Sequence, residues 1–262
     1  MPTFEYRQTV RTPDRARLAV QVRGTGPALL LLPGQANNHH WWDYVRPDFA
    51  ADFTTVTFDY RGTGETVAPD EPYTTVQFAD DAIRVLDALS IDRFDVYGTS
   101  MGGRVAQWVA FVAGPRVRHL VLGCTTPGGE HAVERSPEVR RSLVADPGDD
   151  ALADLMYTPQ WRRSHPGPYG TLGDPSMTTQ ARARHLAASN THDAWDALPR
   201  IGAPTLILHG TDDALAPVAN ADLLAGRIPD STVHLFAGAR HAFFDECRSE
   251  AGALVVEWLR HP

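Results

Sequence analysis

The chain has 262 residues, 43% hydrophobic and 21% charged, with a formal net charge of −8. These values fit one large folded domain and exclude a disordered chain. All 24 basic residues are arginine, so Schiff-base chemistry, pyridoxal phosphate attachment and a lysine-bearing phosphate loop are excluded, and the acidic balance without a dense basic run argues against nucleic acid or an anionic membrane surface as partner.

The start, Met1–Arg7, has no basic segment leading into an apolar core, and no run approaches the length of a membrane span. A cytoplasmic protein is expected. Apolar runs bounded by turn residues then predict strands at Leu18–Val22, Ala28–Leu32, Thr54–Phe58, Phe94–Tyr97, Val117–Gly123, Thr205–His209 and Thr232–Phe236. Helical spacing appears between them, at Val76–Leu89 and at Glu246–Leu259. Alternation of this kind predicts an α/β fold with a mostly parallel sheet and helices on both faces. It breaks between about Thr126 and Pro199, where Ser136–Val144, Ala151–Tyr157 and Thr178–Ser189 read as helices. The expected organisation is a core of residues 1–125 and 200–262 with a small helical cap inserted at 126–199. A disordered excursion fits less well, because Leu152, Leu155, Met156, Trp161 and Trp195 offer apolar surface to bury.

The most informative stretch is Gly98-Thr99-Ser100-Met101-Gly102-Gly103, which sets one serine between glycines where a strand ends and a helix begins. A turn this sharp strains its central residue and admits no bulky flanking side chain. Ser100 is therefore a candidate nucleophile. A serine hydroxyl needs a base to take its proton and an acid to orient that base. Downstream, the strand Leu206–His209 runs into Gly210-Thr211-Asp212-Asp213, where either Asp212 or Asp213 could supply the acid. The strand ending at Phe236 is followed by a loop carrying His241, a suitable base. His209, His119 and His234 read as packing residues. His39 and His40, beside Trp41 and Trp42, read as filling a helix start, because no carboxylate or cysteine spacing supports a metal. Cys124 and Cys247 form no CxxC pair and read as inert thiols. No metal and no cofactor are expected.

The order Ser100, Asp213, His241, together with Leu29–Gly34, Asp59-Tyr60-Arg61-Gly62-Thr63-Gly64, Gly98–Gly103, His209–Pro217 and Gly238–Glu246, resembles the α/β-hydrolase superfamily over essentially the full length. The resemblance implies an eight-stranded sheet, Asp213 rather than Asp212 as the acid, and an oxyanion hole with the Met101 amide as one donor. The second donor is expected from the loop after Ala28–Leu32, with the Gln35 amide the candidate. This loop departs from the family, whose members usually carry His-Gly where this chain has Pro33-Gly34. Trp41, Trp161, Trp195 and Phe243 are candidate pocket walls. The elbow and the phrase Gln107-Trp108-Val109-Ala110 are similar to 3-oxoadipate enol-lactonases and related small carboxylesterases. The implied substrate is a small-molecule ester or lactone. A cofactor-free haloperoxidase or perhydrolase, a C–C bond hydrolase and a non-hydrolytic small-ligand receptor are the alternatives. The oligomeric state is left open, a homodimer included.

Overall fold

The computed structural model describes residues 5–145 and 149–260, so the first four residues of the Met1–Arg7 start lie outside the described part. Eight strands occur among the described residues: β1 (Glu5–Arg11), β2 (Arg17–Arg23), β3 (Ala28–Leu32), β4 (Thr54–Phe58), β5 (Phe94–Thr99), β6 (Val117–Gly123), β7 (Thr205–Gly210) and β8 (Ser231–Phe236). They form one sheet in the order β1-β2-β4-β3-β5-β6-β7-β8. From β4 to β8 the pairs are parallel, while β2 joins β1 and β4 antiparallel. The sheet is thus mostly parallel.

Strand β1 has no counterpart among the expected strands. Its residues, Glu-Tyr-Arg-Gln-Thr-Val-Arg, are largely exposed and only Val10 is buried. An edge strand solvated in this way carries no apolar run to announce it.

The helices are α1 (Arg46–Ala50), α2 (Thr75–Ala88), α3 (Met101–Ala113), α4 (Pro137–Ala145), α5 (Asp149–Met156), α6 (Pro159–Ser164), α7 (Thr179–Asn190), α8 (Ala219–Ala225), α9 (Phe243–Glu246) and α10 (Arg248–Arg260). The stop of α2 is physical: Ser90 takes φ +57°, the Ser90 amide donates to the Asp87 carbonyl at 3.0 Å, and the Ile91 amide donates to Leu86 at 2.9 Å. This closes the last turn with a serine in the place usually held by glycine. The expected single helix at Glu246–Leu259 is divided at Cys247 into α9 and α10.

Strand alternation splits the core between the two faces of the sheet. Leu30 and Leu32 of β3 pack with Phe78 of α2 and Val105 and Val109 of α3, whereas Leu29 and Leu31 pack with Trp42, Phe49, Phe243 and Val255. Both faces are covered, which is why the central strands read as unbroken apolar runs. Helices α4 to α7 all lie between β6 and β7 in the chain. The carboxyl ends of β5, β6, β7 and β8 point the same way, and that edge is where an open parallel sheet collects reactive groups.

Candidate active site

Ser100 stands between β5 and α3 with φ +56° and ψ −122°. A serine held in that region is strained by about 1–3 kcal/mol, which the surroundings must offset. The Ser100 amide donates to the Gly123 carbonyl at 2.9 Å, and its carbonyl accepts from Thr125 Oγ1 at 2.7 Å and the Gly103 amide at 3.1 Å. Close approach explains the glycines: a Cβ on Gly98 would overlap the Gly102 carbonyl, and one on Gly102 would overlap the carbonyl of Leu32. The elbow is therefore pressed against the end of β3 and the loop after it.

That loop carries Gln35. Register pairs Leu32 with Gly98, so the residues after Leu32 run alongside the serine turn. Trp41, which is 2% exposed, donates from Nε1 to Thr99 Oγ1 at 2.9 Å and presses its ring on Gly34. Among the described residues neither the Met101 amide nor the Gln35 amide donates to a protein acceptor. The first is one of the free donors that any helix N-terminus leaves. Met101 follows Ser100 in the chain, and the loop that leads to Gln35 starts where the Leu32 and Pro33 carbonyls crowd Gly102.

Asp213 follows β7 and its side chain is fully buried. Its Oδ1 accepts from the Leu215 and Ala216 amides, each at 2.9 Å. Its Oδ2 accepts from His241 Nδ1 at 2.8 Å and faces His209 Nε2 at 3.3 Å. Burial alone would push this carboxyl up, but the His241 charge and the hydrogen bonds from His209 and His241 outweigh it and hold the group well below the usual range. Asp212 is exposed and accepts from Thr211 Oγ1 at 3.0 Å. Of the two carboxylates only Asp213 reaches His241.

The His241 loop is fastened on both sides. The Asp212 amide donates to the Ala239 carbonyl at 3.0 Å, and the Ala242 amide donates to Met156 of α5 at 2.8 Å. Phe243, two residues past His241, is fully buried, stacks on Phe236 at 4.8 Å and lies against Gly123, the residue that accepts from Ser100. The loop is thus followed by a side chain that packs on the strand end bracing the serine turn. With Nδ1 donating to Asp213, the remaining lone pair of a neutral His241 is on Nε2. Among the described residues, His241 Nε2 and the Ser100 hydroxyl are not hydrogen-bonded to each other. Catalytic hydrogen bonds of empty sites are commonly long and tighten with substrate.

Trp161 and Trp195, also expected as wall residues, are each held between two neighbours. Trp161 is stacked between Tyr157 at 4.3 Å and His165 at 4.2 Å, and Trp195 lies between His131 at 4.2 Å and the Arg227 guanidinium at 4.6 Å. Cys124 is buried, and burial pushes its thiol up. His39 donates from Nδ1 to Asp59 at 2.8 Å and His40 pairs with Asp43 at 2.6 Å. Among the described residues no group of three His, Cys, Asp or Glu side chains could hold a metal ion, and no helix is long and apolar enough to cross a membrane.

Two features escape sequence reasoning. His209, read there as packing, also donates to the Ala216 carbonyl at 2.7 Å, so it braces the acid turn from below. Asp245, buried behind His241, accepts from the Tyr157 hydroxyl at 2.6 Å, and that hydroxyl also meets Thr171 Oγ1 at 2.6 Å. The Tyr157–Asp245 contact has no local sequence signal, because it joins residues 88 apart in the chain; the His209–Ala216 contact spans seven residues within the His209–Pro217 stretch, but residue types alone do not reveal it.

Burial raises Asp245 to about 7, against the opposing hydrogen bond from Tyr157 and the Arg248 charge. The folded state then keeps a proton that the unfolded chain gives up near pH 4, so this group lowers stability as pH rises from about 4 to about 7. Asp245→Asn is expected to remove that slope. Denaturant titrations at pH 5 and pH 8 should show the variant gaining on the parent chain by on the order of 1–4 kcal/mol at the higher pH, and an equal difference at both would disprove it.

Comparison with known proteins agrees with this fold. A family model described as the alpha/beta hydrolase family matches residues 29–257. A 3-oxoadipate enol-lactonase from Acinetobacter baylyi is 26% identical over 240 residues, covering 90% of each chain. A thermophilic esterase from Thermogutta terrifontis superposes with a TM-score of 0.82 at 26% identity, over 97% of this chain and 98% of that one. An enzyme described as degrading N-acyl homoserine lactones, Est816, gives 0.83 at 25% identity, over 96% and 100%. A sheet order, a serine turn and a family model that covers most of the chain lead to one conclusion: this chain belongs to the α/β-hydrolase family.

Proposed function

We propose that the protein is a serine hydrolase that cleaves a carboxylic ester or lactone of a small molecule through an acyl-enzyme. The observation that carries this is the 2.8 Å contact between buried Asp213 and His241, at the sheet edge that holds Ser100 at φ +56°. His241 Nε2 takes the Ser100 proton as Oγ attacks the carbonyl carbon. The oxyanion that forms is met by the Met101 and Gln35 amides. The intermediate collapses with cleavage of the carbon–oxygen bond, and His241 returns the proton to the leaving alkoxide. Water then enters by the same route in reverse roles and frees the acid. Asp213 keeps Nδ1 protonated and steadies the imidazolium.

In this reading residues 126–199 form a cap over the site. Trp41, bonded to Thr99 beside Ser100, and Phe243, two residues past His241, serve as its walls, with Trp161 and Trp195 contributed by the cap. The names of the enol-lactonase and homoserine-lactone relatives support a lactone or ester, whereas perhydrolysis and C–C cleavage would use the same three side chains. The test is a screen of p-nitrophenyl esters of short and medium acyl length and of simple lactones, with Ser100→Ala as the blank. Turnover present in the parent chain and absent in the variant is expected. A folded protein that binds such compounds and turns over none would point to the receptor reading.

A further inference from the structure

The loop that carries Gln35 is shaped from outside. Ala36, the next residue, has φ +57°, a left-handed conformation that a residue with a Cβ keeps only when its surroundings impose it. Those surroundings belong to the 126–199 insertion. The Asp174 amide donates to the Ala36 carbonyl at 2.7 Å, and the Ala36 amide donates to His185 Nδ1 of α7 at 3.3 Å. The Gly173 amide donates to Asn37 Oδ1 at 3.0 Å, while Asn37 Nδ2 donates to the Gln35 carbonyl at 2.8 Å. Both ends of the peptide unit joining Gln35 to Ala36 are thereby tied. The Gln35 N–H is the one backbone group of this pair of residues left without a protein partner among the described residues.

His185 is built for the task. It is fully buried, and its Nε2 lies 2.8 Å from the Arg61 carbonyl. A carbonyl can only accept, so the proton is on Nε2 and Nδ1 presents a lone pair, the form that can accept from Ala36. Burial lowers its pKa to about 4, so the ring is neutral at pH 7. Asp174 is held in turn: its carboxylate accepts from the Gly64 amide at 2.5 Å and from the Ser176 amide at 2.8 Å.

We propose that His185 is a positioning residue that, through the Ala36 amide and together with Asp174 and Asn37, aims the Gln35 amide at the reacting oxyanion. On this account the cap completes the oxyanion hole, and Pro33-Gly34 suffices in the loop because the loop's shape comes from the insertion. The proposal rests on the serine-hydrolase reading above.

The competing role is packing alone, since the ring also lies against Tyr73 at 5.7 Å and Phe78 at 5.2 Å. Two substitutions separate them. His185→Asn sets an oxygen where Nδ1 stands and keeps the acceptor for Ala36, whereas His185→Gln keeps a donor toward Arg61 and loses that acceptor. On a p-nitrophenyl ester, His185→Gln is expected to lower kcat about 10- to 100-fold, part of the loss seen when an oxyanion donor is removed, with KM within about threefold. His185→Asn should recover most of kcat. A trifluoromethyl ketone, which forms an oxyanion when Ser100 adds to it, should weaken in His185→Gln by the same factor as kcat/KM. Asn37→Ala cuts the loop's other tie without touching the histidine, and is expected to reproduce the kcat loss if a His185 variant does not fold. Equal kcat in the folded Gln and Asn variants, or full kcat in Asn37→Ala, would overturn the proposal. Failure of the parent chain itself to cleave esters or to add to the ketone would instead remove the hydrolase reading beneath it.

Discussion

His241→Ala is expected to lower kcat on a p-nitrophenyl ester by roughly three to six orders of magnitude, with little change in KM. Without the imidazole nothing within reach can take the Ser100 proton. Asp213 is occupied by two backbone amides and is held ionised far below neutral pH, so it is too weak a base to substitute. His209 cannot stand in either, because its Nε2 is committed to Ala216 and its buried Nδ1 meets no hydrogen-bond partner among the described residues, the Ser100 hydroxyl included. What remains is the oxyanion donors and substrate binding, which alone give a small residual rate. The fold should survive, since the Asp213 turn keeps its backbone bonds. Steady-state kinetics on folded protein checks this, and a drop below about tenfold would show that another group is the base.

Asp213→Asn is the second large effect, and it comes through the tautomer. The new amide can keep its oxygen on the Leu215 and Ala216 amides, which places its NH2 toward His241 Nδ1. An NH2 only donates, so His241 is driven to carry its proton on Nε2, facing the serine. That nitrogen can no longer accept. A fall in kcat of about 10³–10⁴ with KM nearly unchanged is expected at neutral pH. The substitution also has an acid-side signature. A carboxyl depressed in the folded state contributes stability that is present above the unfolded pKa near 4 and is lost as pH falls through the lower folded value. The parent chain should therefore lose stability on acidification below about pH 4 more steeply than the variant. Asp212→Asn, at an exposed neighbour, should change neither quantity; a comparable loss of kcat there would mean the acid had been misassigned.

The parts of the molecule that were legible in the sequence are those whose cause is local. The central strands announced themselves because burial on both faces leaves no polar position, as in Ala28–Leu32. The serine turn was legible because a strained residue between close-packed backbones demands glycine at 98 and 102. β1 was not, since an edge strand with one buried residue has the composition of a loop. Asp212 and Asp213 were equivalent as residue types, and burial separates them. Trp41 and Trp195 were likewise alike as residue types, and the fold gives one a bond to Thr99 and the other the Arg227 guanidinium. The contacts from Gly173, Asp174 and His185 to residues 36–37 span more than 130 positions in the chain. No motif encodes them, and only the folded chain brings them together.

In this mechanism Ser100 is the nucleophile. Treating the folded protein with a fluorophosphonate and mapping the adduct by peptide mass tests it directly. Covalent modification confined to Ser100, with ester turnover lost in proportion, is predicted. A folded protein that takes no adduct, or one that hydrolyses esters while Ser100 stays unmodified, would contradict it.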